Sequence, residues 1–317
     1  MTLTKNISYI VKRELAIQWH SKRILFLIVV LLIFCGIHLF GMYSQIVQNY
    51  DIYVRTKEFF VEDGFDIVEI LREDLTVIYQ EDGSFSIDNP LKFDFINLAI
   101  SIQNLAPKNI VSNTLEYIVF VFGTLIFGIY AGYLATHDFK SKTYKFISIK
   151  NPQMAIIIGK LITAVIIKVT TLGFVLIFTF ICSFIVKAII RNHIPIHLFA
   201  IDVFNYDYGL TVQLMLTFFV LVLYICIGFS LGFIFKSIIV PTITLFTYGL
   251  ILPILGAYDL RNIVSHFAHQ FFSFRGRFVM FTPIQINSFL GAIIILFTIV
   301  FFLALTFLVV KKRSAYD

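Results

Sequence analysis

The sequence predicts an all-α polytopic membrane protein with six transmembrane helices, an N-terminal amphipathic helix and a folded extracellular loop between spans one and two. Three observations predict it. Apolar residues make up 59% of the chain, 37 of them Phe, and the mean hydropathy is +0.89, more apolar surface than a water-soluble core can hide. Six stretches have about the 20 residues a helix needs to cross the hydrocarbon layer. Lys and Arg gather on one side of those stretches, which orients the chain.

The elements follow in order. Residues 1–22 read as a cytosolic interfacial helix, with Ile7, Ile10, Val11, Leu15 and Trp19 at helical spacing and Lys5, Lys12, Arg13 and His20 between them. Arg13 and Trp19 are its interfacial anchors, the indole at headgroup level. The helix serves as an orientation anchor or as a docking element, and the spacing fits both. Span one covers 23–43. It is longer than a signal-peptide core and no small-residue cleavage site follows Tyr43, so it is expected to remain in the mature protein.

Residues 44–114 form the extracellular loop, too long for a simple connector, where Asp and Glu number 12 against 5 Lys and Arg. A helix is predicted over 52–74. Leu75, Val77 and Tyr79 then alternate with polar neighbours, Asp82-Gly83 makes a turn, and Phe85 and Ile87 alternate again, the pattern of a short hairpin. A second amphipathic pattern from Phe93 to Leu105 ends at Pro107. The acidic pairs Glu62-Asp63 and Glu73-Asp74 could attract cations, though a solvated surface accounts for them more simply.

Span two covers 115–135, span three 161–186, span four 210–235, span five 237–257 and span six 286–310. Residues 136–160 form a basic cytosolic loop, 187–209 an extracellular one, and 311–317 a cytosolic tail with Lys311, Lys312 and Arg313. Pro253 is expected to break span five. Residues 258–285, rich in Phe with Arg261, Arg275 and Arg277, read as amphipathic pieces in the outer leaflet. Gly128 and Gly132 in span two, and Gly228 and Gly232 in span four, form small-xxx-small faces for close helix packing, within one subunit or across a dimer. Both termini are expected in the cytoplasm of a multi-pass cell-membrane protein. The net charge of +6 follows from that topology and implies no nucleic-acid partner.

Ionisable residues inside the spans are few, and each needs a partner, water or a route to the interface. Lys168 is expected to snorkel towards the cytosolic interface; His38 and Glu116 are expected to be interfacial. Cys35, Cys182 and Cys226 fall inside spans and read as buried thiols. His266 and His269, three apart, read as interfacial histidines rather than metal ligands, since no acidic or Cys ligand lies nearby in sequence. Gly159-Lys160 lacks the upstream Gly and the following Ser or Thr of a P-loop, and no Gly-x-Ser-x-Gly elbow occurs. The reading assigns no catalytic residue, cofactor or metal to this chain.

Six spans, cytosolic termini, an amphipathic N-terminal helix and a basic loop between spans two and three resemble the permease subunit of ABC-2-type transporters. That family's central loop carries an acidic residue, three others, then Gly-Thr, a short apolar helix, a Pro turn and Gly-Lys. Asp138, Thr143, Pro152, Gly159 and Lys160 stand at those positions, and Lys142 replaces the Gly. The segment 228–237 and Phe281-Thr282-Pro283 add to the likeness. The resemblance implies a coupling helix in a groove of a separate ATPase subunit, which would hold the ATP and Mg, and a second permease copy or paralogue beside this one in the lipid bilayer. Asp138, Lys140, Lys142 and Lys145 would supply charged handles alongside Thr143, while Phe139, Tyr144, Phe146 and Ile147 would supply apolar anchors. An ATP-driven exporter of an amphiphilic or hydrophobic cargo such as a lipid, peptide or antibiotic is the expected function. A sensor or scaffold with a ligand-binding acidic loop, and a membrane-embedded enzyme, are the alternatives.

Overall fold

A computed structural model describes residues 3–79, 85–199, 209–274, 276 and 278–312. The predicted Asp82-Gly83 turn, together with Arg275, Arg277 and Arg313, lies outside the described residues. The chain begins with α1 (Leu3–His20) and α2 (Arg23–Glu62), then passes through α3 (Ile67–Arg72), β1 (Val77–Tyr79) and β2 (Phe85–Ile87) to α4 (Pro90–Leu105) and α5 (Pro107–Tyr117). A π-helical segment (Ile118–Gly123) joins α5 to α6 (Thr124–Lys140), which is followed by the short α7 (Tyr144–Lys150) and the long α8 (Gln153–Arg191). The last part holds α9 (Leu210–Phe235), α10 (Ile239–Phe246), α11 (Leu260–Phe271) and α12 (Ser288–Lys312).

Among the described residues five helices are long and apolar enough to cross a membrane: α2, the continuous helix Asn109–Lys140, α8, α9 and α12. Six were predicted. The difference is span five, which is helical only over Ile239–Ile251, reaching about 20 Å at helical rise. Beyond it Arg261 donates to the carbonyls of Leu252, at 2.6 Å, and of Pro253, satisfying acceptors that the broken helix leaves free. Asp259 then caps α11, accepting from Arg261 N at 2.8 Å. The break at Pro253 and the helical piece after it were both predicted; a full-length span was not possible once they formed.

The extracellular-loop prediction changes more. No break follows residue 43, and α2 runs 40 residues to Glu62, about 60 Å, twice the hydrocarbon thickness. It stays helical because Leu39, Met42, Ile46 and Tyr53 keep one face buried against Leu91, Leu98 and Ala99 of α4. Ile190, Ile194 and Phe199 close this second core, set apart from the one between the spans. Polar ties fix the α2–α4 register: Asn49 Nδ2 donates to Ser101 Oγ at 2.8 Å, and Thr56 Oγ1 donates to Asp94 Oδ2 at 2.6 Å. Gly64, at φ 82, turns the chain out of α2. The predicted hairpin is present, antiparallel, pairing Val77 with Ile87 and Tyr79 with Phe85.

The predicted glycine faces meet each other within one chain. α6 and α9 run parallel, with Gly128 opposite Gly228 and Gly132 opposite Gly232. A Cβ on Gly228 would lie 2.0 Å from the Gly128 carbonyl oxygen, and one on Gly232 would lie 2.7 Å from that of Gly132. Pro241 and Leu245 of α10 seal the other side of Gly132 and Gly128. The three thiols are free; Cys35 and Cys226 are buried and Cys182 is partly so.

Three ionisable groups sit deeper than predicted. His38 is buried and stacks on Tyr117, ring centroids 4.6 Å apart. Glu116 is buried, with Oε1 accepting from Phe274 N at 3.4 Å. Lys168 does not snorkel: its ammonium donates to the Phe218 carbonyl at 3.2 Å and lies 3.6 Å from the centre of that ring.

Candidate functional site

The site forms where α1 lies across α8. Gly159 makes the crossing possible, since a Cβ there would meet Ile10 Cγ2 at 2.7 Å. The buried face of α1 is Asn6, Ile10, Glu14 and Gln18, one residue every four positions and hence one stripe of a helix. Of the predicted apolar face only Ile10 is fully buried, and Trp19 is 70% exposed. At the centre of this largely polar stripe Glu14 turns inward because its partners are charged.

Those partners come from three elements. Lys160, the eighth residue of α8, places Nζ 2.6 Å from Asp138 Oδ2 and 3.9 Å from Glu14 Oε1, and donates to the Leu134 carbonyl at 2.8 Å. Arg13 bridges both acids, with Nη1 2.7 Å from Glu14 Oε1 and Nη2 3.1 Å from Asp138 Oδ1. His137 completes the cluster, Nε2 lying 3.5 Å from Asp138 Oδ1 and Nδ1 3.9 Å from Glu14 Oε2. Gln18 accepts from the Tyr130 hydroxyl at 3.2 Å, tying the same stripe of α1 to α6. Glu14, Asp138 and Lys160 are completely buried.

Two buried carboxyls thus face the buried Lys160 ammonium and the partly exposed Arg13 guanidinium, and pairing is required to offset their desolvation. Lys160 lies closest to Asp138 and Arg13 closest to Glu14, and each also reaches the other acid. Burial pushes the Glu14 carboxyl above the usual glutamate range, with Lys160 opposing and Asp138 adding to the rise. Glu14, His137 and Asp138 offer ligand atoms within 4.8 Å of one another, a donor set a divalent ion could use. The Lys160 ammonium already stands among them, 2.6 Å from one carboxylate, so the cation of this cluster is a side chain. Its work is mechanical: it fastens α1, the end of α6 and the start of α8 into one unit.

The tie continues into the loop. Thr143 Oγ1 donates to Asp138 Oδ1 at 2.8 Å and Thr143 N donates to the Asp138 carbonyl at 3.0 Å, closing the turn between α6 and α7. Lys142, in the place of the expected Gly, has φ 57, the left-handed region in which glycine alone is free of Cβ strain. Phe139 and Tyr144 pack on each other, ring centroids 4.4 Å apart, and both pack on Phe233, at 5.2 and 5.9 Å. Ile147 is buried with Ile10 and Ile156.

This sorts the predicted coupling residues into two sets. Asp138, Phe139, Thr143, Tyr144 and Ile147 face inward and hold the loop, so Asp138 is not a surface handle and Phe139, Tyr144 and Ile147 are not surface anchors. Lys140, Lys142, Lys145 and Phe146 face outward. Phe146 is 71% exposed, and its neighbour on that face is Ile149, 74% exposed, a residue the sequence reading passed over. It also passed over Glu14, Gln18 and His137; the four-residue spacing of Asn6, Ile10, Glu14 and Gln18 was the available signal. His266 and His269 are hydrogen-bonded separately, to Ser288 Oγ at 3.0 Å and to the Ser265 carbonyl at 2.9 Å. No family model, no curated protein and no solved structure matches the chain.

Proposed function

We propose that this chain is the permease subunit of an ATP-driven exporter of the ABC-2 type. It works with a separate ATPase subunit and a second permease, identical or paralogous, in a cell membrane with both termini in the cytoplasm. The observation that carries the reading is α7. It is a two-turn helix tied through Thr143 to the Asp138–Lys160–Arg13–Glu14 cluster, and it presents Phe146 and Ile149 with Lys145 and Lys150 on its open side, beside Lys140 at the end of α6. A short rigid element with an apolar centre and a cationic rim suits docking into a partner's groove. Nothing in the spans asks for such rigidity in an ordinary connecting loop.

The cargo is amphiphilic or hydrophobic. A cavity of about 350 Å³ between α6 and the segment from Gly249 to Phe281 is lined by Phe120, Leu125, Tyr224, Leu250 and Phe278, with Arg261 the one charged group among the described residues of its lining. Those walls fit a lipid, an apolar peptide or an antibiotic better than a small ion.

A sensor or scaffold is the second reading. It is favoured by a cavity of about 470 Å³ on the second core, where Tyr50, Tyr53, Phe95 and Phe199 meet Lys57 and Glu58. Copurification in mild detergent from the native cell separates the two. A nucleotide-binding subunit recovered with the wild-type chain, and lost with a Phe146→Ala, Ile149→Ala variant that still folds, supports the exporter; a wild-type chain that brings down no ATPase leaves the sensor standing.

A further inference from the structure

We propose that the membrane-facing groove between α8 and α9 beside Lys168 is a binding site for a single-chain anionic amphiphile of the fatty-carboxylate class. Lys168 is 1% exposed, and among the described residues its ammonium is met by uncharged groups, the Phe218 carbonyl at 3.2 Å and the Phe218 ring at 3.6 Å. No ion pair among the described residues includes it, whereas Lys160, eight residues earlier on the same helix, has two carboxylates. An ammonium carries three donors. The Phe218 carbonyl takes one, and among the described residues no further acceptor takes the other two. Cations inside a membrane are retained where something pairs with them.

The space beside the ammonium has the matching shape. A cavity of about 500 Å³ opens at Lys168 and is walled by Leu172, Leu176, Phe180, Leu214 and Phe218. Along α8 it runs from Lys168 to Phe180, twelve residues or about 18 Å, with apolar walls beyond the cation. Gly173 forms part of the lining, and a Cβ there would meet nothing within 4 Å. A neutral acyl chain would cover the walls but leave the ammonium unpaired. A two-chain phospholipid would have to bring a bulky headgroup away from the interface and into the groove. One carboxylate on one chain satisfies both ends: a charge-assisted, two-donor contact at Lys168 and burial of the tail. This inference stands apart from the exporter reading and needs no ATPase.

The test uses the purified full-length chain in a neutral maltoside detergent, with cis-parinarate as the fluorescent fatty-acid probe. Palmitate should displace the probe, and hexadecanol, the same chain without the charge, should do so at least about tenfold more weakly. Lys168→Met should lose the preference for palmitate while melting no lower than wild type, because a buried charge is replaced by an apolar side chain. Gly173→Leu, which keeps the lysine and fills the open space, should weaken both ligands and answers the question should Lys168→Met fail to fold. Equal displacement by palmitate and hexadecanol, or wild-type palmitate affinity in Gly173→Leu, overturns the proposal.

Discussion

Lys160 and Asp138 stand 22 positions apart in sequence and 2.6 Å apart in space, and their ion pair closes the base of the α6–α7–α8 hairpin. Because both are completely buried, removing either leaves the other away from water without its closest counter-ion. Asp138→Asn or Lys160→Met should each lower stability by about 3–5 kcal/mol. The double variant should lose clearly less than the sum, measured by thermal unfolding in detergent; additive losses would mean the two do not act as a pair.

Lys142 occupies a left-handed backbone position, so the side chain there is a conformational liability. Lys142→Gly should be neutral or stabilising, and Lys142→Val should cost roughly 1–2 kcal/mol, β-branching being worst at positive φ. Denaturation midpoints of the three chains decide it.

The inner and outer faces of the turn from α6 into α7 should respond differently. Phe139→Ala removes a ring packed on Tyr144 and Phe233 and should destabilise by roughly 2–4 kcal/mol. Phe146→Ala and Ile149→Ala should change the melting temperature little, since both side chains are exposed, yet abolish capture of the proposed ATPase partner. A stable Phe139→Ala chain would refute the assignment of that ring to the interior.

Glu14 should contribute a pH dependence of definite sign. Its folded-state carboxyl titrates above the usual glutamate value, about 4.3 in the unfolded chain, so protonation favours the folded state. The contribution is fully present below the unfolded value and is lost as pH rises through the raised folded one. Glu14→Gln should flatten that part of the stability profile, read from melting temperatures across the acidic range. A profile identical to wild type would place the titration elsewhere.

Much of the fold was legible because membrane helices announce themselves by uninterrupted apolar runs. Span four, Leu210–Phe235, has the predicted boundaries, and the four glycines pack as small-xxx-small faces do. Where the structure departs, the cause lies in partners distant in sequence. The length of α2 past residue 43 depends on Met42, Ile46 and Tyr53 meeting α4, and Gln45, Gln48, Asn49 and Asp51 between them disguise that stripe as loop. Glu14 reads as solvated in an amphipathic helix until Lys160, 146 positions later, is brought beside it. Lys168 lies far enough inside the span that a nearby helical carbonyl captures its ammonium before the interface can.

The contact between Gly128 and Gly228 limits how the molecule can deform. With a carbonyl oxygen 2.0 Å from where a side chain would begin, no layer of side chains separates α6 from α9, and none can reshuffle to let them slide. The two helices therefore behave as a single stiff beam, and a displacement applied at Lys140 is carried along both. Compliance is left to the joints: the π-helical segments at Ile118–Gly123 and Thr247–Ile251, and the sharp bend at Lys236, φ 51, where α9 hands over to α10.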